Sequence, residues 1–195
     1  MVVRWPGKIA AGVVANEIVQ HHDWLPTFLA VAGEPDIIEK LKKGHKAGDK
    51  TFKNHIDGYN LLPYLTGQEK KSPRPGFVYF DDDGNLVALR YDNWKVVFLE
   101  QRCTGTLQVW AEPFTPLRVP KLYNLRTDPF ERADTTSNTY YDWFLDHDYL
   151  VLAATALVVP FLETFKEFPP RQKAASFTID QALQKMHDAA SGAGR

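Results

Sequence analysis

Apolar residues follow a helical rhythm early in the chain and a strand rhythm in its middle. Leu25, Phe28, Leu29 and Ala32 recur at i, i+3, i+4 and i+7, the spacing of one helical stripe, which is expected to face the core. Asp23 is a natural N-cap for this helix, Pro26 falls where the first turn needs no amide hydrogen, and Gly33 suits a left-handed C-terminal cap. Before it, Met1 to Trp5 reads as a short buried strand ended by Pro6-Gly7, and Val13 to Gln20 reads as extended. The glycine-punctuated basic stretch Lys40 to Lys53 is expected to be a solvated loop. Tyr59 to Leu65 forms a short apolar segment closed by Thr66-Gly67, and the polar run Gln68 to Pro75 reads as a linker, with a boundary near Pro73–Gly76.

Beyond that boundary the period shortens. Phe77 to Phe80 and Leu86 to Tyr91 are strand-like and flank a hairpin turn at Asp81–Asn85. Asp92-Asn93 turns the chain into a third strand, Trp94 to Leu99. A fourth strand is expected over Leu107 to Ala111, and a short fifth around Leu122-Tyr123. Strands this closely spaced join as antiparallel hairpins. Tyr140 to Phe168 predicts one or two helices stopped by Pro169-Pro170. A last helix should start at Thr178 with Gln181 completing a capping box and a stripe of Ile179, Ala182, Leu183 and Met186, before a frayed tail from Ala189.

Composition narrows the class without naming a function. In 195 residues, an apolar fraction of 44% and a charged fraction of 24% suit a globular protein with a real core. A net charge of -1 with intermixed signs leaves no electrostatic footprint for nucleic acid. The single cysteine, Cys103, excludes an internal disulfide framework, and the opening residues lack the pattern of a secretory signal. The apolar stretch Tyr149–Leu162 is shorter than the roughly 20 residues a bilayer needs and contains Pro160, so a buried core helix is expected rather than a membrane span.

Candidate chemistry is sparse. Asp81, Asp82 and Asp83 invite a calcium reading, but an EF-hand loop counted from Asp81 would need glycine and glutamate where Leu86 and Asp92 stand. His21, His22 and Asp23 sit at a helix entrance and suit capping better than catalysis; His45, His55, His147 and His187 are isolated. Cys103 follows Arg102, which would modestly favour a thiolate, but no base or metal motif adjoins it. There is no Gly-rich phosphate cradle, nucleophile elbow or zinc spacing.

Four segments nevertheless carry a resemblance. They are Val3-Arg-Trp-Pro-Gly-Lys-Ile9 with Gly12; Asp23-Trp-Leu-Pro-Thr27 through Ala32-Gly33; His55-Ile-Asp-Gly-Tyr-Asn-Leu-Leu62 through Leu65-Thr-Gly67; and Leu122-Tyr-Asn-Leu-Arg-Thr-Asp-Pro-Phe-Glu131. In this order and spacing, extended by Phe165-Lys-Glu-Phe-Pro-Pro-Arg-Gln172, the chain resembles the type I sulfatases of the alkaline-phosphatase superfamily, specifically bacterial arylsulfatases. The resemblance implies an α/β fold, α+β in its C-terminal part. Residues 1–72 would be the end of a large mixed-sheet domain, and residues 76–190 a subdomain with a four-stranded antiparallel sheet and C-terminal helices.

The implied activity is sulfuric ester hydrolysis on a small-molecule sulfate ester. In the family a cysteine or serine in a Cys/Ser-x-Pro/Ala-x-Arg motif becomes formylglycine, and calcium steadies the sulfate oxygens. Cys103 is not that precursor, because Gly105 and Leu107 stand where Pro or Ala and Arg belong. The resemblance therefore assigns no catalytic residue, no metal ligand and no cofactor to this chain, and predicts that it is inactive alone. The family's machinery is expected upstream of the Trp-Pro-Gly-Lys segment, with Met1 an internal residue of a longer enzyme; a separately encoded subunit docking onto a catalytic partner is the rival. Self-association or such a partner would engage residues 1–70. A non-catalytic binding module and a fragment of a phosphoester or phosphonate hydrolase are the alternatives. Arg118 and Trp110 are expected on the surface or in the core rather than in a pocket, and a periplasmic or secreted parent enzyme is compatible with the sequence.

Overall fold

A computed structural model of the chain describes residues 1–103 and 105–170. The expected helix from Thr178, its stripe and His187 lie outside the described residues. The chain forms a small N-terminal lobe and a larger sheet lobe.

The N-terminal lobe is built on short helices. A 3-10 turn, His21–Asp23, leads directly into α1 (Trp24–Val31), followed by α2 (Ile37–Lys43). The stretch expected as a solvated loop contains an exposed two-residue-turn hairpin, β1 (His45–Ala47) with β2 (Lys50–Phe52), and α3 (Leu62–Leu65) follows. Leu61 is fully buried beside it. Met1–Trp5 is not a strand: among the described residues it joins no ladder, and it is followed by a turn in which the Lys8 and Ile9 amides donate to the Trp5 carbonyl, at 3.1 and 2.9 Å. A strand exists only through a ladder partner, and apolar composition alone cannot supply one.

The stripe on α1 also departs from expectation. Pro26, Thr27 and Ala30 are its buried residues, while Leu25 and Phe28 are 52% and 62% exposed. The helix thus turns a polar-and-small face inward, because Thr27 is recruited by hydrogen bonds to the 59–61 loop, and leaves its most apolar face outside.

The sheet lobe contains β3 (Gly76–Phe80), β4 (Leu86–Tyr91), β5 (Trp94–Glu100) and β6 (Thr115–Asn124), antiparallel in that order. Three of these follow the expected strands closely. The fourth does not: Leu107–Ala111 contains α4 (Gln108–Ala111), with Leu107 79% and Trp110 83% exposed. The ten-residue β6 instead surrounds Leu122-Tyr123. Its prolines, Pro116 and Pro120, break the usual strand signature yet are tolerated because β6 is an edge strand, where half the amides need no partner.

After β6 come α5 (Ala133–Thr136), α6 (Tyr140–Asp146) and α7 (Tyr149–Glu167). One sheet face contributes Leu89, Val96 and Leu122, which pack with Tyr140 and Phe144 of α6 and Ala154 and Val158 of α7. The Tyr140 hydroxyl ties this layer to β6, accepting from the Leu122 amide at 2.9 Å and donating to the Leu122 carbonyl at 3.0 Å. The opposite face clusters Ala88, Val97 and Tyr123.

Helix α7 is not the buried core helix expected. It runs through Pro160 without ending, and only Ala154 and Val158 are buried. Its second apolar stripe, Tyr149, Leu152, Ala156 and Val159, faces outward, with Leu152 76% exposed. By length and composition alone α7 could cross a membrane, but its inner stripe is taken up by the sheet.

Candidate functional site

The densest polar constellation joins the two lobes. Asp23 ends the 3-10 turn and is fully buried, and Arg74, between Pro73 and Pro75, is 5% exposed. Arg74 Nε donates to both Asp23 oxygens at 3.1 and 2.8 Å, and Nη2 donates to Oδ1 at 2.5 Å. The same guanidinium reaches the carbonyls of Gly76 (3.1 Å) and Asp57 (2.7 Å) and the Nε2 of His22 (2.7 Å), with its Cζ 4.7 Å from the Tyr59 ring centroid. Asp23 also accepts from the Gln20 and Tyr59 amides, at 2.7 and 2.8 Å. Three separate segments, around residues 20–23, 57–59 and 74–76, meet on one ion pair.

Local chemistry explains the geometry. Asp23 closes a capping box with Gln20 on the 3-10 turn; it gives α1 no side-chain cap, contrary to expectation, because its oxygens are committed elsewhere. Thr27, one turn on, donates to the Asp23 carbonyl at 2.6 Å and accepts from the Leu61 amide at 2.9 Å, fastening the loop. Gly58 lets that loop approach: a Cβ there would lie 2.2 Å from the His22 carbonyl oxygen. Burial pushes the Asp23 carboxyl up, but hydrogen bonds from Arg74 and from the Tyr59 and Gln20 amides outweigh it and hold the acid below its ordinary range. His22 is exposed as a residue, but partial desolvation where its ring meets Arg74, then the Arg74 charge, lowers its pKa, with only partial relief from Asp23 and Asp57.

A cleft of about 600 Å3 opens beside this pin, lined by Lys42, His55 and Tyr59 on one side and by Val78, Leu157 and Phe161 on the other. Lys42 pairs with Glu39 at 2.9 Å and His55 with Asp57 at 3.0 Å, while Arg90 Nε donates to the Asp92 carbonyl at 3.1 Å. Nothing in this wall presents a nucleophile beside a base.

The remaining sequence candidates are dispersed. Asp81 Oδ1 accepts from the Asp83 and Asn85 amides at 3.0 and 2.7 Å, and Oδ2 from Asn85 Nδ2 at 2.9 Å, so this carboxylate shapes the β3–β4 turn. Arg102 pairs with Glu100 at 2.6 Å instead of activating Cys103, whose Sγ lies 3.6 Å from Gln101 Oε1. His147 stacks on Trp143, centroids 4.7 Å apart, and contacts the Trp143 carbonyl. Arg118 and Trp110 are exposed. His21 is exposed and His45 half-buried in β1.

A calcium ion or a formylglycine does not fit these residues. Among the described residues no three His, Cys, Asp or Glu side chains converge. Asp81 is consumed by its turn, and Cys103 lies in Cys-Thr-Gly-Thr-Leu. The motif Asn124-Leu-Arg-Thr-Asp-Pro-Phe-Glu131 is architectural: Asp128 Oδ2 accepts from the Arg132 and Ala133 amides, at 2.9 and 2.8 Å, at the start of α5. Glu131 grips Lys95 through both oxygens at 2.7 Å. Arg74, the hub of the constellation, lies in the run Gln68 to Pro75 whose composition predicts a linker. The available clue was an arginine between two prolines, which suits a bend more readily than a buried ion pair.

Comparison with known proteins places these features in a family. The chain is 26% identical over 167 residues to an ulvan-active sulfatase of Formosa agariphila, covering 72% of this chain and 29% of that protein. It is 27% identical over 154 residues to human arylsulfatase D, covering 71% of this chain and 23% of that protein. The chain thus spans under a third of the length of these curated relatives. Its fold matches the crystal structure of the PsFucS1 sulfatase from Pseudoalteromonas sp. with a TM-score of 0.59 at 23% identity, over 85% of this chain and 29% of that one. The family described as the C-terminal region of aryl-sulfatase matches residues 72–191, more than half of the sequence, and the chain belongs to that family.

Proposed function

We propose that this chain serves as the C-terminal flank of an arylsulfatase-like sulfuric ester hydrolase and does not hydrolyse sulfate esters on its own. The observation that carries this reading is the combination of a sulfatase C-terminal region with a sole cysteine, Cys103, that has Gly105 and Leu107 where the formylglycine motif needs Pro or Ala and Arg. Calcium and formylglycine would then belong to the catalytic part of the parent enzyme, whose substrate is a small sulfate ester. The outward stripe of α1, with Leu25, Phe28 and Val31 all more than two-fifths exposed, is where that catalytic part would sit.

The test is direct. Purified chain incubated with 4-nitrophenyl sulfate over a series of calcium concentrations should release no nitrophenol above the buffer rate. Calcium-dependent turnover that survives repurification would overturn the proposal.

A further inference from the structure

We propose that His22 and Arg74 form a pH-gated latch: neutral His22 holds the N-terminal lobe against the sheet lobe, and protonation of His22 loosens that hold. Arginine has only donors, and the two N–H groups of Nη2 are shared among Asp23 Oδ1, the Asp57 carbonyl and, at 2.7 Å, the Nε2 of His22; His22 can join this shared set only by offering its lone pair, with the ring proton on Nδ1. A proton on Nε2 would set two N–H groups face to face, and the contact would have to break.

The neighbours do not rescue the charged form. Asp23 is already taken by Arg74 and by the amides of Gln20 and Tyr59. Asp57, from the facing loop, holds the His55 ring at 3.0 Å, and His21 adds repulsion from the same turn. Across the cleft, Lys42 and Glu39 of α2 are paired with each other. The direction of the shift agrees, although His22 as a whole is exposed: it is lowered from 6.5, by partial desolvation of the ring first and by Arg74 second. Between the two values the unfolded or opened state binds the proton more readily, so the latch weakens as the pH falls below 6.5.

Only the imidazole can swing, because the His22 carbonyl is packed against Gly58. The movement matters because other contacts between the lobes are few among the described residues, such as Lys53 with Glu167 at 3.7 Å and with the Phe168 ring, and the His55 ring near Phe168. Arg74 Nη2 also holds the Asp57 carbonyl, so releasing it loosens the 57–59 loop that walls the apolar cleft.

The latch is tested by amide hydrogen exchange at pH 7.5 and 5.5, corrected for intrinsic rates. The Tyr59 amide, bound to Asp23, should lose about fivefold protection at the lower pH, the scale of one partly exposed hydrogen bond. His22→Gln keeps a neutral acceptor at both pH values and should abolish the difference, while His55→Gln should retain it. An equal pH response in His22→Gln, or none in the parent chain, overturns the latch. Nitrogen chemical shifts of the parent chain give a second check that needs no variant: a neutral His22 protonated on Nε2 would also overturn it.

Discussion

Asp23 and Arg74 show how one pair can hold two lobes together. Both are withdrawn from water, so removing one partner strands the other's charge. Arg74→Gln should destabilise the chain by roughly 3–5 kcal/mol in urea unfolding, and Arg74→Lys by a smaller but clear amount because the planar fork is lost. The acid limb follows from the depressed Asp23 carboxyl. Its contribution is whole above the ordinary value of 3.8 and is lost as the pH falls below it, through the folded-state value. Unfolding free energy measured from pH 6 to pH 2 should therefore drop below pH 4, and Asp23→Asn should flatten much of that drop while lowering stability at pH 6. Gly58→Ala tests the close approach: with 2.2 Å available against the His22 carbonyl, the loop must retreat, and a loss of several kcal/mol is expected in the same assay. None of these roles was visible from sequence. A Pro-Arg-Pro run and an Asp-Gly pair signal bends, and the burial that gives them meaning comes from segments more than 30 positions apart.

At the level of elements, the sheet was the most legible part. The alternation over residues 77–80, 86–91 and 94–99, with Asp-rich and Asn-containing turns between, names three strands and their antiparallel order. The fourth strand was misplaced for a physical reason. Local β propensity favours Leu107–Ala111, but pairing on β5 favours a proline-bearing edge strand that brings Leu122 opposite Val96. Helices were found by period, yet period does not say which side is covered. The α1 stripe is exposed because Thr27 and Asp23 are pulled inward, and α7 has one apolar stripe on the sheet and another in solvent. Two measurements separate these faces. Leu25→Asp with Phe28→Asp, on the exposed stripe, should change stability by less than about 1 kcal/mol in urea unfolding. Tyr140→Phe, buried and bonded to the Leu122 backbone, should instead cost about 1–2 kcal/mol in the same assay.

At the scale of the molecule, contacts between the lobes among the described residues are few compared with those inside the sheet. Arg74→Gln should accordingly broaden or split the thermal transition followed by calorimetry, because the N-terminal lobe loses its main tie while the β3–β6 sheet keeps its own core. The residues that carry the sulfatase likeness behave the same way. Asp128, Glu131, Asp57-Gly58 and Asp23 are spent on turns, capping and ion pairs. In this structure these side chains hold the architecture together.

The amino-acid sequence alone determined the period of three sheet strands and of the helices at 24–31 and 140–167, the acidic hairpin turn and the motifs shared with sulfatases, since these depend on neighbours within a few positions. Only the tertiary structure decided which apolar faces are covered, that the last strand lies over residues 115–124, and that a proline-flanked arginine pins an aspartate 51 positions away. Those outcomes depend on which distant groups compete for the same hydrogen bonds and buried surface, and that competition exists only once the chain has folded.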